Sequence, residues 1–472
     1  MTTRDGEPVH GAALSIEDSQ LAIHGGSPVR SQPLPLEFPG IHHMDEEEVE
    51  AAARVLRDRS PFRYYGIKTR DEVDRFEKEF ALYLGLPYAV AVSSGTGALH
   101  TALSALGVGP GQEIIVPAYM WVSVVAAVVN LGAIPVLADI DNTFGIEREG
   151  LMRRITPRSR GIIAVHMSGA PIDIAPIARM ARERGLFLLE DCAQANGASI
   201  GGQKVGTFGD MGIFSFQMNK NMTAGEGGCV VTPDSRLYRR AVACHDLGYA
   251  RDDQGRLMLD VPDLCVWGRG YRLDEIRGAV LRVQLRKMPA IVERMRSSKY
   301  KIRRALEALP GVRLRRVVDP AGDTGAFLIT TYDSASIAQE VNAALRAEGI
   351  TTFPQGMSNV RMTDWGLHLY YNIVSLVTKR SVDSAGFPWT LTENKGPEMQ
   401  YGKGACPQAD SLFERSIIMS IPSCLTAEDE DDIIHAFEKV LNHYFRSKSD
   451  ARRAQRLHEG VSDAGLADSP GR

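Results

Sequence analysis

Cysteine is scarce: six residues in 472, at Cys192, Cys229, Cys244, Cys265, Cys406 and Cys424, with no CxxC pair and no clustering with histidine. That scatter argues against a zinc site or a disulfide framework and fits a reducing compartment. Long apolar runs are lacking too. The longest, Met120 to Ala138, is interrupted by Ser123, Asn130, Gly132 and Pro135, so it reads as a buried helix followed by a strand and not as a membrane span. Between Met1 and Gln20 no apolar segment occurs, so no secretory signal is expected and the expected location is cytoplasmic. A net charge of -4 supplies no basic excess, which removes nucleic acid and acidic membranes as expected partners. The one basic concentration, Arg282 to Arg304, carries apolar residues at helical spacing and predicts a long helix with a solvated basic face. His42 and His43 precede Asp45-Glu46-Glu47-Glu48, which suits a helix start better than a metal site.

Length and composition agree with a soluble enzyme. With 44% hydrophobic and 24% charged residues, the chain can bury an extensive core. Apolar segments at Tyr88–Val92, Glu113–Val116, Pro135–Ala138, Gly161–Val165, Leu186–Glu190, Gly212–Phe216 and Gly228–Val231 alternate for the most part with helical patterns. Strands of unbroken apolar residues predict an α/β fold around a mostly parallel sheet covered on both faces, with ligands at the carboxyl ends of its strands. After about Met288 the pattern changes. Strands are expected at Val312–Val317, Ala326–Tyr332 and Ile417–Ile421, and helices at Ser336–Glu348 and Ala427–Tyr444, the latter capped by Thr426. The expected organisation is an N-terminal arm (1–40, partly disordered), a large domain (41–288), a smaller α+β domain (289–446) and a disordered tail (447–472). The small domain holds an irregular segment at about 356–407, whose Trp365, Tyr370, Tyr371 and Trp389 are candidates for a substrate cleft, a subunit contact or plain packing.

The chemistry concentrates in a few short stretches. In Phe214-Ser215-Phe216-Gln217-Met218-Asn219-Lys220, followed by a glycine-rich turn, a lysine stands in a polar loop five residues past a serine. Upstream, Leu186-Phe187-Leu188-Leu189-Glu190-Asp191 ends a strand in a carboxylate. A lone loop lysine is ordinarily solvated, and an acid after a strand ordinarily caps a helix. Together they match the needs of pyridoxal phosphate: an amine for its aldehyde and a carboxylate for its ring nitrogen, with Lys220 also able to move a proton on the substrate. The run Val90-Ala91-Val92-Ser93-Ser94-Gly95-Thr96 breaks into a helix start, where Gly95 and Thr96 can offer amides to a phosphate and Ser215 a hydroxyl. Trp121, after Val116-Pro117-Ala118-Tyr119-Met120, offers a ring-sized face.

These residues carry a resemblance. The ordered motifs Ser-Ser-Gly-Thr, Pro-Ala-Tyr-Met-Trp, Glu-Asp-Cys-Ala-Gln and Ser-Phe-Gln-x-x-Lys-x-x-x-x-Gly-Glu-Gly-Gly resemble the DegT family of sugar aminotransferases, within fold type I of the pyridoxal phosphate enzymes. The resemblance runs from about Met44 to Lys287 and more loosely to Leu441. It implies a mostly parallel seven-stranded sheet, Lys220 as the Schiff-base lysine, Asp191 as partner of the pyridine nitrogen and Gln194 near the ring hydroxyl. It further implies Trp121 stacked on the ring, and Gly95, Thr96 and Ser215 around the phosphate. A branch of the family that removes a sugar hydroxyl has histidine in place of the lysine, and Lys220 argues against that branch. One departure concerns a Gly-x-Asn-Tyr-Arg pattern whose asparagine reaches the neighbouring subunit's phosphate. Here it reads Gly268-Arg269-Gly270-Tyr271-Arg272, with Arg269 or a backbone amide as the expected substitute.

By the same resemblance the expected activity is transfer of an amino group from glutamate or glutamine to a keto-sugar or keto-cyclitol, in secondary-metabolite or glycan biosynthesis, by a homodimer with active sites at the subunit interface. The alternatives are a pyridoxal phosphate-dependent dehydratase or lyase on a sugar-like substrate, and a non-catalytic relative that retains the cofactor. In Phe62-Arg63-Tyr64-Tyr65-Gly66, Arg63 could meet a phosphate or carboxylate and Tyr64 or Tyr65 a sugar face; a salt bridge and a packed aromatic pair explain them equally well.

Overall fold

The computed structural model describes residues 20–462 other than 69–70, 253, 265, 353–357 and 397–398, with backbone alone at 263 and 446–462. Seven strands form the central sheet in the spatial order Tyr88–Val92, Gly228–Thr232, Met211–Ser215, Phe187–Asp191, Ser159–Val165, Glu113–Pro117 and Ile134–Ala138. Gly228–Thr232 runs antiparallel to both neighbours, and the other contacts are parallel. Most of these strands are buried along their whole length, as unbroken apolar sequence requires when helices cover both faces.

This topology decides where chemistry can sit. The parallel strands deliver Ser93-Ser94-Gly95, Tyr119 to Trp121, Asp191 and Ser215 to one edge, the carboxyl end of the sheet. Because Ser215 pairs with Gly228 across the antiparallel ladder, the chain between them, with Lys220, loops out at that same edge.

The small domain is a four-stranded antiparallel sheet ordered Arg313–Leu314, Phe327–Thr331, Ser416–Ser420 and Val360–Arg361, packed with the helix Ala335–Ala347. The strand expected at Val312–Val317 shrinks to two residues, because the amide of Arg316 leaves the ladder for the carbonyl of Asn142 in the large domain. Thr426 does cap the last helix: its hydroxyl accepts from Asp429 N–H at 3.1 Å and the Asp429 carboxylate accepts from Thr426 N–H at 2.8 Å. That helix spans Ala427–Ser462; 463–472 and 1–19, on which parts of the arm and tail expectations fall, lie outside the described residues.

The arm is tied down from Gln20 onward. Glu348 accepts from the amides of Ala22 and Val29, and Arg30 pairs with Asp429 and Asp432 at 2.7 and 2.9 Å. The basic stretch lies on one long helix, Glu275–Leu306. Its cations are ion-paired and not simply solvated: Arg282 with Glu72 and Glu79, Lys287 with Asp45 and Glu48, Arg294 with Glu430.

Candidate active site

A cavity of about 720 Å³ opens at the carboxyl edge of the sheet, and Gly95, Thr96, Trp121, Asp191, Gln194, Ser215 and Lys220 all line it. Seven residues spread over 126 positions of sequence thus line one cavity, because each ends or follows a strand of the same sheet.

The loop that carries Lys220 is fixed through its backbone. Thr223 donates its hydroxyl to the Phe216 carbonyl at 3.0 Å and its amide to Gln284 Oε1 at 3.2 Å. Gly40 of the arm donates its amide to the Lys220 carbonyl at 3.1 Å, and Asn221 Nδ2 donates to the Asn196 carbonyl at 2.9 Å. The reversal back into the sheet passes through Gly225 at φ +79°, a left-handed conformation that glycine adopts without steric cost.

Electrostatics then favour a reactive amine. Burial pushes the Lys220 amine below its ordinary range, and the carboxylates of Asp191 and Glu226 oppose that shift. Burial likewise pushes Asp191 up, opposed by the hydrogen bond from Ala193 N–H at 2.9 Å and by the charges of Lys220 and His166. A buried acid in that balance is receptive to a cationic partner inside the cavity, and a lysine with a lowered pKa presents more of the nucleophilic free amine.

A helix start in the cavity lining suits an anion. Ser94 caps the helix Gly95–Ala105: its hydroxyl takes the amide of Gly97 at 3.0 Å and its carbonyl that of Ala98. The amides of Gly95 and Thr96 begin the helix at the cavity wall, next to the Thr96–Ser123 hydroxyl pair at 2.8 Å. A Cβ on Gly95 would lie 2.8 Å from the Ser215 Cβ and 3.0 Å from its Oγ, so the close approach of helix start and strand end demands glycine. Amine, acid, aromatic face and helix start in one cavity fit pyridoxal phosphate.

Arg63, Tyr64 and Tyr65 are placed otherwise, since none of them lines this cavity in its own chain. Arg63 is buried and its guanidinium is held by Glu77 at 3.0 Å and Asp74 at 2.9 Å. The Tyr64 hydroxyl pairs with His245 Nε2 at 3.1 Å while Arg251 lies over its ring, and Tyr65 is exposed on the surface. For Arg63 the ion-pair explanation is the one the geometry supports.

Other residues line the cavity too, among them Trp365, which the sequence offers as a cleft candidate, and Glu37, Glu226, Leu367 and His368, which it does not. Glu37 reaches the cavity from the arm, a position with no local signal, whereas Glu226 sits inside the glycine-rich motif that also carries Lys220. Trp365, Leu367 and His368 arrive from the irregular segment. Its other aromatics serve packing: Tyr370 is buried with its hydroxyl on Asp410, and Tyr371 and Trp389 pack against the core.

The sequence model of the DegT/DnrJ/EryC1/StrS aminotransferase family matches residues 43–359. The chain is 39% identical over 255 residues to 3-amino-5-hydroxybenzoate synthase of Amycolatopsis mediterranei (strain S699), covering 53% of this chain and 63% of that protein. It is 37% identical over 282 residues to L-glutamine:2-deoxy-scyllo-inosose aminotransferase of Streptomyces kanamyceticus, covering 58% of this chain and 64% of that protein. The alignments therefore span less than two thirds of either relative. Among solved structures, that of 3-amino-5-hydroxybenzoic acid (AHBA) synthase superposes with a TM-score of 0.70 at 27% identity, covering 88% of this chain and 100% of that one. The fold is fold type I, with the mostly parallel sheet and smaller second domain that the sequence led us to expect. With more than half of its length matched, the chain belongs to the DegT/DnrJ/EryC1/StrS aminotransferase family.

Proposed function

We propose that this protein is a pyridoxal phosphate-dependent aminotransferase that moves an amino group from glutamate or glutamine to a keto-sugar or keto-cyclitol. The observation that carries the reading is the convergence of Lys220 and Asp191 on one cavity that a helix start also lines. Bound there, pyridoxal phosphate would supply an electron sink that acidifies the substrate carbon bearing nitrogen and would carry the amine between two half-reactions.

The chain's own residues do the rest. Lys220 Nζ would bond the cofactor covalently and then, released by the donor, take and return the substrate proton. Asp191 would hold the proton on the pyridine nitrogen, Trp121 would cover one ring face, and Gln194 would lie at the ring hydroxyl. Gly95, Thr96 and Ser215 would hold the phosphate. The name of the Streptomyces kanamyceticus relative supports a cyclitol-type acceptor and glutamine as donor.

A cytoplasmic homodimer completes the proposal. Trp267 is 95% exposed, Ile67 and Leu259 77% and Tyr65 72%, large apolar side chains of the kind that a second subunit covers. Gly270, where the family pattern has asparagine, sits at φ +70°, a region that asparagine tolerates and glycine prefers. Arg269 is exposed next to it, available to take over the contact with the partner's cofactor. Among the described residues no helix is long and apolar enough to cross a membrane.

The test is an absorption spectrum of the purified protein. A visible band that glutamate or glutamine converts to a near-ultraviolet band, with one equivalent of keto acid released, is the expected result. A band that no amine donor changes would instead indicate a non-catalytic relative.

A further inference from the structure

His368 stands between two tryptophans at the cavity. Its ring centroid is 4.7 Å from that of Trp121 and 4.8 Å from that of Trp365, the latter nearly parallel at 24°. It lies beyond residue 359, where the family match ends, on a segment anchored to the large domain by the Met120 amide on the His368 carbonyl at 3.0 Å and the Tyr370 amide on the Ala118 carbonyl at 3.2 Å.

The polar contacts of this ring form a chain whose hydrogens are all dictated by backbone at its two ends. The amide of Ser168 can only donate, so the Gln194 atom 2.9 Å from it is the carbonyl oxygen Oε1. The other end of that side chain is therefore NH2, which can only donate, and it lies 3.2 Å from His368 Nε2. Nε2 must accept, so the imidazole proton is on Nδ1, and Nδ1 lies 2.8 Å from the carbonyl of Trp365, an acceptor. The second hydrogen of the Gln194 amide is left for the cavity that Gln194 lines.

We propose that His368, fixed by Trp365, is a positioning residue that locks the Gln194 amide with its NH2 group toward the cavity and steadies the ring of Trp121. Gln194 then presents a donor, never an acceptor, to a bound cofactor or substrate oxygen. Burial first, and then the charge of Lys220, lowers the His368 pKa to about 4, so the accepting neutral form prevails at neutral pH. The left-handed backbone of Ser168, at φ +56°, is a cost tolerated where it aims the amide that starts the chain.

This inference rests on the reading of the cavity as a pyridoxal phosphate site, and two measurements separate the two. In the His368→Phe variant a ring still fills the space between the tryptophans but the acceptor is gone. Before pyridoxal phosphate is added, it should keep the parent's Tm. Its cofactor dissociation constant should rise about two- to tenfold, the worth of one hydrogen bond, and the pH midpoint of its visible band should move upward. Unchanged dissociation constant and midpoint would overturn the proposal. Nitrogen-15 NMR of the unsubstituted protein reads the tautomer directly and needs neither a variant nor the cofactor. A proton on Nδ1 of His368 is expected, and a proton on Nε2 would overturn the proposal. Failure of the parent to bind pyridoxal phosphate would strike the cofactor reading alone and leave the tautomer to decide this one.

Discussion

Asp191 closes one strand of the sheet and Lys220 rises from the loop after the next, and the charge of each draws the other's ionisation back toward normal inside a shared cavity. Replacing Asp191 by asparagine keeps the shape and removes the charge. The expected result is a folded protein that still binds pyridoxal phosphate but converts donor to keto acid about 10² to 10⁴ times more slowly, the usual worth of a positioned proton-holding group. Single-turnover kinetics with glutamine or glutamate would show it, and a rate within a few-fold of the parent would remove Asp191 from the chemistry.

Arg63 is expected to matter for stability and not for substrate binding. Its guanidinium is buried against Glu77, which also accepts the amide of Ala91. Arg63→Met leaves that carboxylate without its cation, at a cost of about 3 to 5 kcal/mol. Denaturant unfolding should report the loss; a variant of parental stability with a raised acceptor KM would restore the substrate role.

The contrast between Arg63 and Lys220 shows what was legible in the sequence. Strands and their carboxyl-end residues follow from apolar runs and local breaks, and so the sheet and most of the cavity wall were readable. The meaning of Arg63 depends on Glu77, 14 positions away on a helix face, and an arginine among aromatics looks alike beside a sugar or in an ion pair. His368 was hidden for a similar reason: the segment around it has no periodicity, and only its docking on Trp121 makes it part of the site.

Gly95 should accept no side chain. In Gly95→Ala the new methyl would meet Ser215 at 2.8 Å, and the helix start must move away from the strand end. Overpacking of that kind costs about 1 to 3 kcal/mol, here charged to cofactor affinity. Equilibrium dialysis with pyridoxal phosphate should detect it, and unaltered affinity would place the phosphate elsewhere.

Acid should destabilise the fold through its histidines. Burial and then Arg269 hold His100 near pKa 4, burial and then Lys220 do the same for His368, and burial and then Arg63 lower His245. In the unfolded chain these rings protonate at about 6.5. Between about 6.5 and 4 the unfolded state therefore binds more protons than the folded one, and stability falls as pH falls through that window. Thermal unfolding should show Tm dropping across it, less steeply in His100→Gln. A flat Tm would contradict the assignment.

The exposed Trp267 and Leu259 should be covered in solution. Substituting both with glutamate is expected to convert a dimer to monomers in sedimentation equilibrium, because burying two carboxylates in an apolar contact is unfavourable. An unchanged dimer would locate the subunit contact on another face.

The covalent anchorage at Lys220 can be read in a single experiment. The protein is mixed with pyridoxal phosphate, reduced with borohydride, digested and its peptides weighed. One pyridoxyl phosphate group on the peptide that contains Lys220, and none in Lys220→Ala, is the expected outcome. Modification confined to other lysines, with the Lys220 peptide untouched, would contradict the assignment of this cavity.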